Sequence, residues 1–550
     1  MQPPATGLRS QIAAFDYVFW LCIFMELMER MAYYGVRLVV PVFMVLAPSE
    51  GGPGLTHVEK GTVLALWAAM QSWLPTFAGG FSDRFGYKRT IAVSVFLKAG
   101  GYFLMSQADG FGSMVAGTQM LAAGTGLFKP GIQGTMAHSI AKAPGAASMG
   151  WGLFYQSVNV GAAIAAYIPA FTREKWGWEG VFATCSALVL VNLVPLFFYE
   201  DPVDERAAAK DTRSVGTLVR ESVVDLFTSP VLMGFILLQA GFWFSFHQLF
   251  DMLPNYVDDW TDSSVLLRDA GAALGVASWA EAGAKGEMIP QERLININAI
   301  LIMFTMFLFA WLSGKVRVLT STIVGMAIAT AAFGVFVVTA NVYAVLAGVA
   351  LFTIGEMLSS PKRQEFLSSL APPGKRALFL GYANMPDGIG WVLGSLVAGS
   401  AYEEHGDKVN LARDHLSRLS DPAAVEAARV WVTRTKALAE QGATDKTLKE
   451  VAENMETTAL PDALAKAAQL PDAELVRVVA DALPRGEVLA HLGQAVPTLA
   501  DPAAARAFLY ATYEPGQVWY AFIAMGTFSV VGMLVYDRWL RKRQEARAAA

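Results

Sequence analysis

Charged side chains occur inside an apolar segment of the sequence, where they could do chemistry. Residues 15–46 are long and apolar enough to span a membrane, which takes about 20 mostly apolar residues in a helix. Within this segment, the stretch FMELMERMAYYGVRL (24–38) has four charged residues: Glu26, Glu29, Arg30 and Arg37. A charge at the centre of a bilayer costs roughly 2.5–3.5 kcal/mol on insertion scales, so we expect these side chains to have a function.

Helical geometry places these charges on one side of the predicted helix. At about 100° per residue, the four charged residues and Tyr33 fall on one face of a single helix. Charges confined to one face avoid lipid and are typical of a bundle interior or a wet cavity. Carboxylates there can bind protons, which suits transport of a polar solute coupled to proton movement. The alternative is an ion-pair network that only fixes helix packing, with Glu26 and Arg30 at the favourable i, i+4 spacing.

Composition indicates a chain that crosses the membrane several times. The 550 residues are 54% hydrophobic and 16% charged, whereas a soluble globular chain has about 25% charged residues. The net charge of −5 gives no basic character that would indicate nucleic-acid binding. Cys22 and Cys185 both lie in predicted spans, so no disulfide framework is expected. The N-terminus lacks the features of a signal peptide, and we expect the first span to be retained.

Apolar runs predict twelve spans in two sets of six. The first set covers 15–46, 61–80, 90–108, 112–138, 150–170 and 177–199, and the second covers 230–257, 293–313, 318–339, 341–360, 376–401 and 517–537. This layout predicts an all-α membrane protein with two six-helix bundles. The first bundle is 1–199; the second has helices 7–11 at 230–401, and helix 12 with a basic cytoplasmic tail at 517–550. The charged segment 200–229 is amphipathic in its second half and predicts a cytoplasmic interfacial linker.

Two segments interrupt the second set of spans. Residues 258–292 form a long loop, rich in Ala and Gly, after span seven. Residues 402–516 form an Ala-rich insertion before span twelve, where helix-start signals such as SDPAAVEAARVWV (420–432) and DPAAARAFLY (501–510) predict a small helical domain. Lysine and arginine in the short loops after the even-numbered spans place both termini in the cytoplasm and the insertion outside. The insertion has no catalytic constellation, which favours a lid or packing domain.

Five motifs, in the same order along the chain, resemble those of the proton-coupled oligopeptide transporters, a branch of the major facilitator superfamily. ELMERMAYYG (26–35) resembles the family's E-x-x-E-R…Y-Y-G signature. The others are GGFSDRFGYKRT (79–90), GTGLFKP (124–130), FYQSVNVGA (154–162) and GEMLSSPKRQEFLSSLAP (355–372). The resemblance covers both bundles and omits the insertion. It implies a divergent member with a twelve-helix major facilitator fold, which carries protons with di- or tripeptides by alternating access.

The resemblance assigns proton coupling to Glu26, Glu29 and Arg30 of the first helix, together with Lys129 and Glu356. It implies that Lys129, in span four, faces the first-helix glutamates; a lysine that snorkels to an interface is the alternative. A buried ammonium beside carboxylates is a proton-sensitive pair, since each partner sets the protonation of the other.

Charged substrate contacts are expected on both bundles. Arg37 and Lys129 suit the carboxylate end of a peptide, because arginine offers a planar fork for bidentate binding. The resemblance implies that Glu356, in span ten, serves the amino end of the peptide and the gating of the second bundle; an interface carboxylate is the alternative. A cation in one bundle and a carboxylate in the other would orient a zwitterion across the midplane.

Neutral side chains are expected to complete the substrate site. Those that could bond peptide amides are Tyr33, Tyr34, Asn159 and Asn298. Of the asparagines, Asn298 matches less well, because the family's usual proline does not follow it. Trp67 and Trp243 could line an apolar side-chain pocket, but ordinary packing is the favoured interpretation for the two tryptophans.

The loop between spans two and three is expected to have a different role. By resemblance, it latches the cytoplasmic ends of the first bundle in the outward-open state, so it carries conformational energy and does not bind substrate. Its residues that match the family are Gly79, Asp83, Arg84, Gly86, Lys88 and Arg89.

The second bundle departs from the family pattern at three positions. In FWFSFHQ (242–248), His247 occupies the place of a glutamate, and in GYANMPDGIGW (381–391), Ala383 occupies that of a tryptophan. Asp387 is an added membrane carboxylate. Because histidine titrates near neutral pH, we hypothesise that His247 and Asp387 together replace the missing glutamate in proton coupling. Drift at a non-essential site is the alternative.

The favoured function is a monomeric proton symporter that imports di- or tripeptides through the plasma membrane, a bacterial inner membrane. The proton is the coupling ion, and no cofactor, ATP or metal is expected, because the chain has no phosphate loop and its six histidines are scattered. One alternative keeps the mechanism with another solute: an amino acid derivative, nitrate or an organic anion. A non-transporting receptor or scaffold is a further alternative. An enzyme is not expected, since no nucleophile–base arrangement emerges.

Overall fold

A computed structural model describes the chain at residues 8–201, 229–276, 280–283, 286–370, 382–441 and 446–549. Most of the predicted linker, 200–229, lies outside the described residues. The described part is almost entirely helical, as the apolar runs predict. Long helices occupy all twelve predicted spans in the predicted order.

We number the twelve spanning helices α1 to α12. In the first bundle they are α1 Tyr17–Arg37, α2 His57–Phe85, α3 Tyr87–Ser106, α4 Phe111–Ala141, α5 Ala147–Ala165 and α6 Tyr167–Leu190. In the second they are α7 Pro230–Phe246, α8 Ile297–Ser313, α9 Val318–Val338, α10 Val342–Leu370, α11 Asn384–His405 and α12 Tyr520–Ala549. Gly177 has a non-helical backbone (φ 62°, ψ −164°) and marks the turn between the fifth and sixth predicted spans.

Shorter helical pieces adjoin the spans. Single helical turns and short helices lie at Leu8–Ala13, Val40–Phe43, Gln248–Asp251, Leu253–Trp260 and Gln291–Ile295. Segments of 3₁₀ helix lie at Pro48–Glu50, Pro144–Ala146, Val191–Leu193, Pro195–Phe197, Arg485–Glu487, Pro497–Leu499 and Pro515–Trp519. Proline begins most of these segments, because its fixed φ suits the first helical position.

Six helical segments of the described chain are long and apolar enough to cross a membrane by length and composition. They lie at Met149–Phe197, Pro230–Asp251, Gln291–Ser313, Val318–Val338, Val342–Leu367 and Pro515–Ala546. The first of them contains two predicted spans. α1 does not qualify because of its charges, but each charged residue predicted on its polar face is at most 5% exposed. The charges of α1 are therefore packed against other parts of the protein.

Polar residues fix where the first helices begin. The Asp16 carboxylate caps α1 by accepting the Phe19 backbone N–H at 3.0 Å. α2 begins with a capping box, in which Thr56 and Glu59 each bond the backbone N–H of the other. Between α2 and α3, Gly86 turns the chain with a φ of 93°, a conformation that favours glycine.

The segment 258–292, expected as a loop, contains a helix and a hairpin. Its elements are a helix at Ser264–Leu274 and two antiparallel strands, β1 Glu281–Gly283 and β2 Gly286–Met288. The Ser263 hydroxyl fixes the end of the hairpin, because it donates to the Ile289 carbonyl oxygen at 2.9 Å and accepts from the Ile289 N–H at 2.8 Å. The predicted all-α membrane fold is confirmed, and the hairpin is a local addition to it, because three-residue strands are too short to show hydrophobic alternation.

The insertion, residues 402–516, packs on the second bundle as a helical domain. Its helices are Lys408–Ser417, Pro422–Glu440, Lys446–Asn454, Leu460–Ala467, Asp472–Ala482, Val488–Ala495 and Pro502–Tyr513. Asp421 and Asp501 cap two of them, as the Asp-Pro signals indicate. The apolar core of the domain is continuous with that of the second bundle. We call the side of the bundles that bears this domain the insertion side and the opposite side the terminal side.

The two bundles approach each other closely where α2 crosses α11 on the insertion side. Gly61 of α2 and Gly399 of α11 meet there without side chains between them. A Cβ on Gly399 would lie 2.6 Å from the His57 carbonyl oxygen, and a Cβ on Gly61 would lie 2.5 Å from the Ser395 carbonyl oxygen. Glycine at both positions therefore lets the backbones of the two bundles come together.

The substitution Gly399→Ala should destabilise this crossing, because the new methyl group overlaps backbone atoms of α2. Overpacking of this kind costs roughly 1–3 kcal/mol. The matched control is Gly334→Ala in α9, where an added Cβ meets nothing within 4 Å. The control should increase the free energy of unfolding by about 0.5–1 kcal/mol, because alanine is a better helix former than glycine. Thermal unfolding of the two variants in detergent measures the difference, and an equal effect in both would contradict the close crossing.

Candidate functional site

A cavity of about 280 Å³ lies between the two bundles. Its volume is close to the range of small-molecule sites, about 300–1,000 Å³. The eight residues predicted to bind substrate all line it: Tyr33, Tyr34, Arg37, Lys129 and Asn159 from the first bundle, and Trp243, Asn298 and Glu356 from the second. Arg30, His247 and Asp387 line it as well. The residues that the helical spacing and the motifs indicated thus line one cavity, on both of its walls.

The charged face of α1 forms part of this wall and part of its support. Arg30, Tyr33 and Arg37 line the cavity, whereas Glu26 and Glu29 lie outside its lining. The Arg30 guanidinium binds both carboxylates: its Nε contacts Glu29 and lies 3.4 Å from Glu26 Oε1. The ion pair predicted from the i, i+4 spacing of Glu26 and Arg30 is confirmed.

The partner of Glu29 on a neighbouring helix is Lys98 of α3, which the sequence analysis did not single out. The two side chains form an ion pair, and both are completely buried. Lys98 is the only charged residue between positions 90 and 108. A single lysine in an apolar span was therefore the signal that could have found it.

Lys129 does not make the direct contact with the first-helix glutamates that the resemblance implied. It lines the cavity from α4, and no carboxylate of the described residues lies within ion-pair distance of its ammonium. The physical reason is rotation about α4. Gly124 faces α3 and Lys98, and Lys129 is five residues further on, about 140° around the helix. Its charge still interacts with those of Glu26 and Asp387 at longer range.

Arg37 takes part in an ion pair that joins the bundles. Its guanidinium contacts the Asp251 carboxylate, just after α7, and donates to the Phe250 carbonyl oxygen at 3.0 Å. Asp251 also accepts from Trp391 Nε1 at 2.9 Å and from the Ser395 hydroxyl at 2.7 Å. Arg37, expected to bind a substrate carboxylate, is therefore already neutralised. Sequence reasoning missed Asp251, although it is a carboxylate inside predicted span seven.

Glu356 lines the cavity from α10. Asn298 of α8 orients it: Asn298 Nδ2 donates to Glu356 Oε2 at 2.8 Å and to the Thr353 hydroxyl at 3.0 Å. Among the described residues, no Lys, Arg or His side chain lies within ion-pair distance of Glu356. The cavity thus has a carboxylate on its second-bundle wall that is hydrogen-bonded but not neutralised.

His247 and Asp387, the two unusual residues of the second bundle, contact each other. His247 Nε2 lies 3.0 Å from Asp387 Oδ1, and the imidazole stacks on the Trp391 indole with ring centroids 4.4 Å apart. Arg363 of α10 adds a positive charge nearby, with its guanidinium carbon 4.2 Å from the Trp243 ring centroid. The pairing on which our hypothesis depends exists, and its role in proton coupling stays a prediction.

Neutral residues support the first-bundle wall. Trp67 is completely buried behind this wall, in agreement with ordinary packing, the interpretation that the sequence favoured. Its Nε1 donates to Gln71 Oε1 at 2.9 Å, and Gln71 Nε2 donates to the Tyr33 hydroxyl at 2.9 Å. Asn159 donates to the Tyr155 carbonyl oxygen at 3.1 Å within its own helix. Hydrogen bonds of this kind hold the cavity-facing groups in place.

The basic loop between α2 and α3 is tied to the end of the first bundle. Lys88 Nζ donates to the Tyr199 carbonyl oxygen at 2.7 Å, and its backbone N–H lies 3.3 Å from the Asp201 carboxylate. Gly86 makes the turn, and Arg89 is exposed. For the other predicted latch residues, the side-chain surroundings lie outside the described part of the chain: Gly79, Asp83 and Arg84.

Polar contacts close the cavity toward the insertion side. Lys60 of α2 donates to Asn255 Oδ1 at 2.8 Å, and Asn255 Nδ2 donates to the Pro41 carbonyl oxygen at 3.1 Å. Together with the pair of Arg37 and Asp251, these bonds join the ends of α1 and α2 to the segment that continues α7. This layer of contacts lies on the insertion side of the cavity-lining residue Arg37.

The lining of the cavity has charged and hydrogen-bonding groups. In the described part of the chain, no cluster of three or more His, Cys, Asp and Glu side chains could hold a metal ion. The two cysteines are free and buried. The polar groups of the cavity are ion pairs, single charges and hydrogen-bonding amides, which bind a solute without forming covalent bonds to it.

The sequence matches the family model described as Major Facilitator Superfamily over residues 19–395. The chain belongs to the Major Facilitator Superfamily. Its cavity lies between the two six-helix bundles, the place where transporters built from two repeats commonly bind their solutes. The matched region ends at residue 395, so both the helical domain at 402–516 and α12 lie outside it.

Curated relatives of this transporter are peptide carriers. It is 25% identical over 212 residues to dipeptide and tripeptide permease A of Proteus mirabilis, a match that covers 38% of this chain and 42% of the permease. It is 23% identical over 461 residues to peptide transporter YePEPT of Yersinia enterocolitica, which covers 68% of this chain and 86% of that protein. The chain thus spans less than half the length of the permease. The resemblance to the oligopeptide transporters is confirmed, and the relatives are transporters and not enzymes.

A solved structure supports the same fold. The crystal structure of peptide transporter POT in complex with alafosfalin superposes on this transporter with a TM-score of 0.59 and 17% sequence identity. The superposition covers 73% of this chain and 91% of that chain. At this identity the likeness concerns the fold alone.

Proposed function

We propose that this transporter carries protons together with di- or tripeptides through the plasma membrane by alternating access. The observation behind the proposal is the charge pattern of the cavity. Among the described residues, Lys129 on one wall lacks a carboxylate within ion-pair distance, and Glu356 on the other lacks a cation. A zwitterion that bridges the two bundles would neutralise both. The transporter acts as a monomer and needs no cofactor besides the proton.

A small peptide has the chemistry that these two charges select. Its ammonium group binds Glu356 and its carboxylate binds Lys129, and both contacts are charge-assisted hydrogen bonds. Asn159, Asn298 and the cavity tyrosine Tyr34 bond the amide groups, which all peptides share. Recognition therefore does not depend on one particular side chain. The names of the relatives, a dipeptide and tripeptide permease and a peptide transporter, support this class of solute.

The buried carboxylates couple transport to protons. Glu29 is held by Lys98 and Arg30, so a proton that binds Glu29 removes the charge on which both contacts depend. In a low-dielectric interior, the loss of one charge leaves its partners uncompensated and favours a rearrangement of the helices. His247 and Asp387 supply a second proton-binding pair on the opposite wall.

The geometry corresponds to one state of the transport cycle. If both termini are cytoplasmic, the insertion side is the outside, and the contacts of Arg37 with Asp251 and of Lys60 with Asn255 close the outer path. Opening to the outside must break these bonds. The basic loop at Lys88 belongs to the opposite, cytoplasmic side, where it latches the first bundle when the cavity faces outward.

A second candidate function keeps the mechanism and changes the solute to an amino acid derivative, nitrate or an organic anion. Two observations favour it. Arg37 is neutralised by Asp251, and His247 occupies the place of a glutamate next to Asp387. The second-bundle wall therefore differs from that expected of the oligopeptide transporters.

Uptake into proteoliposomes tests the first candidate. Wild-type protein should accumulate a labelled dipeptide when an inward proton gradient is imposed, and Glu29→Gln should lose gradient-driven accumulation, because the glutamine cannot release a proton. The matched control, Glu179→Gln, changes an exposed glutamate and should keep wild-type uptake. Accumulation of nitrate or an amino acid derivative, with no flux of dipeptide, would support the second candidate.

The pair of His247 and Asp387 should set part of the pH dependence of uptake. Asp387→Asn removes a proton-binding carboxylate and His247→Ala removes an imidazole, so each should shift or flatten the pH profile of dipeptide uptake. The control is His405→Ala, because His405 is more than half exposed and lies beyond the cavity. Profiles that coincide with wild type in both cavity variants would contradict a role in proton coupling.

A further inference from the structure

Lys98 of α3 and Glu29 of α1 form an ion pair whose side chains are both 0% exposed. Aromatic rings enclose the ammonium group: it lies 5.8 Å from the ring centroid of Tyr33 and 5.6 Å from that of Phe128. A buried charge without a partner is strongly unfavourable. Lys98 and Glu29 therefore depend on each other for their charged states.

α4 is shaped to accommodate Lys98. Gly124 lies against it, because a Cβ at this position would approach the Lys98 backbone nitrogen at 3.1 Å and the Ser94 carbonyl oxygen at 2.8 Å. The glycine that begins the GTGLFKP motif therefore makes room for a lysine on α3. The lysine of the same motif, Lys129, faces the cavity instead.

We propose that Lys98, and not Lys129, is the positioning residue whose ion pair with Glu29 is lost when Glu29 binds the transported proton. Lys129 is thereby free to bind the anionic end of the solute. The inference rests on the proposed function and deepens it. Protonation of the Glu29 carboxylate removes its negative charge, and the Lys98 ammonium then loses its partner. No other bond forms or breaks in this step.

The charged and titratable groups around the pair fit this division. From α1, Glu26 and Arg30 face Glu29, with the Tyr33 phenol beside them. From α3 itself, buried Tyr102 belongs to the same packed cluster as Tyr33, and so does Cys185 of α6. From α4, Lys129 repels Lys98 at long range. Glu29 is thus the carboxylate that both Lys98 and Arg30 hold.

Two transport assays separate the roles of the two lysines. Lys98→Gln should lose gradient-driven accumulation of dipeptide and keep counterflow exchange at equal pH on both sides. Lys129→Gln should weaken dipeptide binding in counterflow about tenfold, the effect of losing roughly 1.4 kcal/mol, while its remaining uptake stays proton-dependent. The reverse pattern, in which Lys129→Gln alone uncouples transport, would overturn the proposal.

A second variant distinguishes a loss of proton coupling from misfolding. Lys98→Gln alone leaves the buried Glu29 with Arg30 as its remaining ion-pair partner. It should therefore unfold at a lower temperature than the double variant Lys98→Gln with Glu29→Gln, in which both groups are neutral. The double variant should exchange dipeptide in counterflow and show no response to a proton gradient. A double variant that folds and still accumulates dipeptide with the gradient would overturn the proposal.

Failure of the proposed function can be told apart from failure of this inference. If wild-type protein moves no dipeptide, the solute is wrong, but the pairing can still be tested by thermal unfolding across pH. The difference in unfolding temperature between wild type and the double variant should change with pH, and the difference between wild type and Lys129→Gln should change less. The opposite ranking would overturn the role of Lys98.

A second, independent set of contacts concerns the insertion domain. Asp407, where the domain begins, is completely buried. It accepts two hydrogen bonds from the Arg485 guanidinium, at 2.5 and 2.9 Å, and lies 3.3 Å from His57 Nε2 of α2. Burial alone would raise the pKa of the Asp407 carboxyl, but Arg485 and His57 hold this pKa well below its usual range. Asp407 therefore stays charged between the domain and the first bundle.

Neighbouring contacts reinforce this junction. The Glu403 carboxylate of α11 accepts the His57 backbone N–H at 2.5 Å, and Lys60 Nζ lies 2.9 Å from His57 Nδ1. Further along, Gly486 of the domain is packed against the turn after α1, since a Cβ on Gly486 would lie 3.0 Å from Ser49 Oγ. The insertion domain belongs to the second bundle by its core and holds the first bundle by these contacts.

We infer from these contacts that the insertion domain is a clamp, which favours the state closed on the insertion side. The contacts of His57 and Ser49 with the domain exist only while the first bundle is docked. A set of bonds present in one state and absent in the other shifts the population toward the first. The clamp thus adds to the closure made by Arg37 and Asp251 in the layer below.

Cross-linking measures the clamp without any transport assay. A protein with Ser49→Cys and Gly486→Cys should form a disulfide readily, because the two positions touch and both native cysteines are buried. Adding His57→Phe, which keeps a ring beside Tyr402 and removes both ring nitrogens, should lower the cross-linked fraction. His405→Phe, an exposed control, should not. Equal cross-linking in the two variants would overturn the clamp.

Discussion

The desolvation of charge on α1 is the constraint on which the rest of this structure depends. Taking an ion out of water costs several kcal/mol even after relaxation, so each buried charge needs an opposite charge nearby. The partners come from three directions. Arg30 serves both glutamates from within α1, Lys98 reaches Glu29 from α3, and Asp251 reaches Arg37 from the other bundle. The docking of the two bundles is therefore partly an electrostatic consequence of one helix.

The cavity gains its polarity from the groups that this pairing leaves over. Because Lys98 and Arg30 together hold Glu29, and Asp251 holds Arg37, the charges of α1 are largely balanced before any solute arrives. Lys129 and Glu356 remain on facing walls, and the pair of His247 and Asp387 lies between the apolar rings of the second bundle. In the proposed function, the proton-binding groups thus lie partly behind the wall of the cavity and the solute-binding groups lie on it.

The sequence was sufficient for the helices and for the wall of the site, because both depend on local patterns. Apolar runs located the twelve spans, and a 100° rotation per residue placed Tyr33 and Arg37 on one face. Pairing between helices was not accessible in the same way. Whether Lys98 or Lys129 meets Glu29 depends on how α3 and α4 rotate against α1, and no local pattern records that angle. Asp251 escaped notice for the same reason, since its partner lies more than two hundred residues away in the chain.

The junction at Asp407 has a thermodynamic consequence for molecules that never enter the cavity. In the proposed clamp, docking of the insertion domain and closure on the insertion side belong to the same state, so their free energies are linked. Linkage is reciprocal. An antibody fragment that prefers the docked domain changes the affinity for solute by a certain factor, and solute changes the affinity for the fragment by the same factor. A domain that touches no solute would then control the transporter from its surface, through Asp407, Arg485 and His57.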